Sequence, residues 1–73
     1  MKELKQIVLE NKDKDLFEAD FKINGLRYQV DIENGELMIQ VWPSGKIKDL
    51  IIHDWDEEDM EEFENWDWPN GKT

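Results

Sequence analysis

FEADFKINGLRYQVDIENGELMIQVW, residues 17–42, decides the fold, because it carries two Asn-Gly dipeptides ten residues apart. Asn-Gly between alternating apolar runs signals a two-residue hairpin, since both residues accept the positive φ of a type I′ turn. A turn at Asn24-Gly25 opposes Ile23 to Leu26, Phe21 to Tyr28, Ala19 to Val30 and Phe17 to Ile32. A turn at Asn34-Gly35 opposes Ile32 to Leu37, Val30 to Ile39 and Tyr28 to Val41. Every pair is apolar, and both turns place the same residues of the middle strand on the same face. A slip of one residue would turn every side chain over, so the agreement specifies a three-stranded antiparallel sheet. The other face carries Glu18, Asp20, Lys22, Arg27, Gln29, Asp31, Met38, Gln40 and Trp42, and is mostly polar, as a one-sided sheet requires.

Outward from this centre the signals weaken. Pro43-Ser44-Gly45 marks a third turn before KIKDLII, where Ile47 and Ile51 alternate against Leu50 and Ile52. A bulge after Gly45 would reconcile them. At the N-terminus, Leu4, Ile7 and Val8 fit a helical spacing, whereas Ile7 and Leu9 alternate ahead of the polar NKDKD. The second pattern is taken as a first strand beside residues 16–23. The expected strands are therefore about 4–10, 16–23, 26–33, 36–42 and 46–52.

The sheet needs a cover for its apolar face, and HDWDEEDMEEFENWDWPNGKT (53–73) is the remaining segment able to supply one. Asp56 suits an N-cap, with Glu57, Glu58 and Asp59 in the first turn where the helix dipole favours negative charge. Trp55 and Met60 fit a hydrophobic staple. At 100° per residue, Trp55, Met60, Phe63 and Trp66 share one face. Pro69 and Gly71 end the pattern. A helix over about 57–66 with a tail of 67–73 follows, Trp68 either folding back on the core or protruding as an anchor. The expected architecture is α+β: one small domain over 1–73, an antiparallel β-meander of four to five strands with one C-terminal amphipathic acidic helix packed on its apolar face.

Charge divides the chain. The net charge is −10, but residues 1–53 hold ten acids against eight bases, while residues 54–73 hold nine acids and the single base Lys72. Such a field repels phosphate, which argues against direct binding of nucleic acid or an anionic membrane and for a basic protein partner. With no cysteine and only His53, disulfides and the usual zinc ligand sets are excluded. Asp54, Asp56 and Glu58 alternate like the start of a calcium loop, yet the glycine and final acid of an EF-hand are missing. His53 has no serine or cysteine in a nucleophile arrangement. No catalytic residue, metal or cofactor is expected. The N-terminus lacks a signal-peptide core and no long apolar run exists, pointing to the cytoplasm. Eight lysines to one arginine suit a bacterial or phage genome rich in A·T.

With the aromatics inward, Asp54, Asp56, Glu57, Glu58, Glu61, Glu62 and Glu64 form the candidate partner surface. Twelve helical residues from Asp56 to Asp67 span about 18 Å, so their eight carboxylates approach the roughly 1.7 Å axial charge spacing of duplex DNA. Plain solvation is the competing explanation of such a face. In profile the chain is similar to phage-encoded inhibitors that imitate DNA, such as uracil-DNA glycosylase inhibitors and some anti-CRISPR and anti-restriction proteins. That similarity is one of type and transfers no positions. It implies a non-enzymatic acidic inhibitor that blocks a DNA- or RNA-binding protein. The alternative is a small interaction module acting through Trp42, Arg27 and Met38, side-chain types enriched in interface cores, or through a homodimeric sheet.

Overall fold

The computed structural model describes residues 3–69. The elements run α1 (Leu4–Asn11), β1 (Leu16–Ile23), β2 (Leu26–Glu33), β3 (Glu36–Trp42), β4 (Leu50–Ile52) and α2 (Glu57–Asn65). The strands form one antiparallel sheet in the order β1-β2-β3-β4. This is the α+β meander that the two hairpins specify, and every expected cross-strand pair is present. Asn24 and Gly25 have φ of 54° and 79°, and Asn34 and Gly35 have 51° and 82°, the left-handed pairs of I′ turns.

Two expected strands are corrected. Residues 4–10 are not a strand but lie within the helix α1. Leu4 and Val8 stand one turn apart and both enter the core, whereas a strand would have put them on a different face from Ile7 and Leu9. One short C-terminal helix cannot cover four strands, and α1 supplies the second cover. The fourth strand is only Leu50–Ile52, not 46–52. Leu50 and Ile52 face the core opposite Ile39 and Leu37, while Ile51 faces out opposite Met38. No bulge is needed, because residues 43–49 form a loop in which Ile47 still packs against the core. The loop also completes β3: the Val41 N–H donates to the Asp49 carboxylate (3.2 Å) where a longer β4 would have supplied a carbonyl.

The core has one layer, on the inner face of the sheet. It joins Tyr28, Val30 and Ile32 of β2, Leu37, Ile39 and Val41 of β3, and Leu50 and Ile52 of β4 to Leu4, Val8 and Phe63 of the helices. The inward residues of β1 are only half-buried, Phe17, Phe21 and Ile23 packing at the margin of the core, and α2 lies against β4. Burial, reinforced by the Asp67 carboxylate, pushes the Tyr28 phenol above its usual pKa. No helix among the described residues is long and apolar enough to cross a membrane.

Candidate functional site

The acidic segment begins with two linked carboxylate caps. Asp56 has extended backbone and its carboxylate accepts from the Asp59 N–H at 2.9 Å, as expected of an N-cap. Asp59 reaches back to accept from the N–H groups of His53 (3.3 Å), Asp54 (3.0 Å) and Trp55 (3.2 Å). Trp55 takes a positive φ of 57°, which curls these three donors toward one carboxylate. The donors hold the Asp59 carboxyl below its ordinary pKa, the Asp54 N–H contributing most, with His53 adding a smaller electrostatic effect. This role was missed in the sequence, although the Asp56-x-x-Asp59 spacing is that of a capping box with aspartate in place of glutamate.

Aromatic rings then fasten α2 to the sheet. Phe63 is fully buried, with Trp55 and Trp68 on either side at centroid distances of 5.2 and 4.9 Å. Trp68 folds back on the core instead of protruding and meets Trp66 edge-on at 4.8 Å. Each half-buried indole N–H finds a backbone carbonyl: Trp55 donates to Gly35 (2.7 Å), Trp66 to Lys48 (2.6 Å) and Trp68 to Phe63 (2.6 Å). The helix stops one residue earlier than expected, because Trp66 leaves with extended backbone. Residues 70–73 of the expected tail, including Gly71, lie outside the described residues.

Against this fixed inner face, Asp54, Asp56, Glu57, Glu58, Glu61, Glu62 and Glu64 are all exposed. The tertiary structure sorts them. Glu64 pairs with Lys5 of α1 at 2.7 Å and Glu62 lies 4.0 Å from Lys48. Among the described residues Glu57, Glu58 and Glu61 have no basic partner, and Asp56 is occupied as a cap. Five outward glutamates now fall along nine helical residues, about 13 Å, since Asp59 points back into the cap. The outward charge spacing is therefore about 2.7 Å, looser than the whole-segment estimate and than duplex DNA. A depression of about 280 Å³ between Glu58, Glu61, Glu62 and Asn65 runs along this ridge.

The second candidate patch divides. Arg27 and Trp42 stand opposite each other as expected, and Trp42 is exposed, but the Arg27 guanidinium pairs with Asp20 at 3.2 Å. Met38 is not beside them. It is four residues back along β3, about 13 Å away, opposite Asp31 and Ile51. Exposed Leu16 and Ile51 also belong to this outer face and were missed in the sequence. Among the described residues no group of three or more His, Cys, Asp or Glu side chains could hold a metal ion. The chain matches no known family model, no curated protein and no solved structure.

Proposed function

We propose that the protein is a non-enzymatic acidic inhibitor, phage-encoded and acting in the cytoplasm of a bacterial host, that binds a basic surface of a nucleic-acid-binding protein through α2. The observation that supports this is Glu57, Glu58 and Glu61, exposed and without basic partners among the described residues, on a helix whose other face is fastened by Phe63 and three indoles. The helix that carries these charges is already ordered, so binding a cationic groove has to order only the glutamate side chains. Long-range attraction also speeds encounter and makes the complex salt-sensitive.

The test is capture from a bacterial lysate with the native chain and with the triple variant Glu57→Gln, Glu58→Gln, Glu61→Gln, eluted by a salt gradient. The expected result is a partner retained by the native chain, lost by the variant, released by moderate salt and displaced by duplex DNA or RNA. Equal retention by the variant overturns the reading. A second reading follows from the exposed ring of Trp42 beside Arg27: an interaction module or homodimer joined through that end of the sheet. There Trp42→Ala abolishes association and salt has little effect.

A further inference from the structure

The register orders the outer sheet face into rows. One row reads Glu18, Asp31, Met38, Ile51 across the four strands, and the next reads Leu16, Glu33, Glu36, with His53 beside Glu36 at 3.4 Å. Two carboxylate pairs, Glu18 with Asp31 and Glu33 with Glu36, therefore stand directly opposite each other, an arrangement that repels. Among the described residues Glu18, Asp31 and Glu33 have no basic partner. Beside them Met38 and Ile51 form an apolar cross-strand pair, 40% and 45% exposed, and Leu16 is 63% exposed at the opposite corner. Together these residues line an open depression of about 460 Å³.

We propose that this depression is a docking site for a basic amphipathic segment of a partner protein. An apolar side chain of that segment seats on Met38 and Ile51. A lysine or arginine about two strand spacings away, roughly 10 Å, enters between Glu18, Asp31, Glu33 and Glu36. An apolar centre with a charged rim is the ordinary anatomy of an interface, and an incoming cation relieves both opposed carboxylate pairs. A second copy stacked outer face to outer face does not fit that chemistry. The basic side chains of the outer face are Lys22 and Arg27, and Arg27 already holds Asp20. The site lies on the other side of the sheet from α2 and does not depend on the acidic ridge.

The probe is a 14-residue amphipathic peptide of leucine and lysine, compared with an oligolysine of equal charge, titrated while the methyl resonances of Leu16, Met38 and Ile51 are followed by NMR. The amphipathic peptide is expected to shift the Met38 and Ile51 methyls and to bind at least tenfold more tightly than oligolysine. Met38→Glu with Ile51→Glu discriminates sharply, because it adds negative charge. Simple attraction would strengthen binding, whereas loss of the apolar floor weakens it tenfold or more. Asp31→Asn with Glu33→Gln weakens it as well, and Glu57→Gln, Glu58→Gln, Glu61→Gln leaves it unchanged. All these positions face outward, so thermal melts confirm that each variant stays folded. Equal binding of oligolysine, methyls that do not move, shifts confined to α2, or sedimentation showing a dimer that covers Met38 and Ile51 each overturns the proposal.

Discussion

At the residue scale, the tryptophans show how a small chain without cysteine can hold an acidic helix. An indole half-buried in a domain of this size stabilises chiefly if its N–H has a partner, because a buried donor left unpaired costs about 1–3 kcal/mol. Trp66 joins α2 to the loop before β4 through the Lys48 carbonyl. Trp66→Phe, which keeps an aromatic ring but removes the donor and the second ring of the indole, should cost at least about 1 kcal/mol and lower Tm by roughly 4–8 °C or more, measured by calorimetry. Asp59 works through charge. Its folded pKa is depressed, so its stabilisation is present above the ordinary carboxyl pKa of about 3.9 and is lost as pH falls through the lower folded value. Asp59→Asn should therefore lower Tm at neutral pH, and the gap between native and variant should close as the pH drops below about 4. A gap independent of pH would show that the carboxylate's charge plays no part. The Asp56-Asp59 spacing was legible in the chain, but the carbonyls of Gly35 and Lys48 were not, because they lie 20 and 18 residues from their donors.

At the scale of elements, each hairpin contains its own instruction, and α1 does not. Asn-Gly and strict alternation settle β1 to β3 locally, while LKQIVLEN satisfies a helix and a strand almost equally. Nothing near it in sequence decides; the uncovered core does, and it accepts Leu4 and Val8 from one helical face. The short β4 has a similar cause, since the Asp49 carboxylate satisfies Val41 and leaves the loop free to fold Ile47 inward. In α2, Glu57–Glu61 and Glu58–Glu62 place like charges one turn apart, unfavourable by about 0.2–0.5 kcal/mol each. Glu61→Lys turns the first pair into an attraction of favourable polarity. It should stabilise the fold by about 0.5 kcal/mol, raising Tm by roughly 2–4 °C, while weakening the proposed capture of a basic partner. A variant that is more stable and binds less separates a surface kept for interaction from one that is only solvated. Undiminished binding would count for solvation.

At the scale of the molecule, a net charge of −10 on 73 residues makes the folded state repel itself. The chain answers by bringing sparse lysines to the acidic end. Lys5 pairs with Glu64 and lies 5.9 Å from the Phe63 ring, Lys12 sits 5.2 Å from Trp55, and Lys48 approaches Glu62. Exposed pairs of this kind contribute about 0–1 kcal/mol each, too little to balance nineteen acids. Raising salt from about 10 to 200 mM shortens the Debye length from roughly 30 to under 10 Å and should raise Tm, as screening weakens the repulsion more than the few attractions. A Tm that falls with salt would mean the lysine contacts dominate. By itself the sequence determined the three-strand register, the apolar and polar faces of that sheet, the capped start of α2 and the inward set of its aromatics. These follow from periods of two and 3.6 residues and from turn chemistry, all local. Only the tertiary structure decided that residues 4–11 are a helix, which glutamates keep a basic neighbour, and that Ile51 of β4 stands beside Met38. Those outcomes depend on which distant surfaces remain to be covered and on which strands end up side by side, and neither is written in any one stretch of chain.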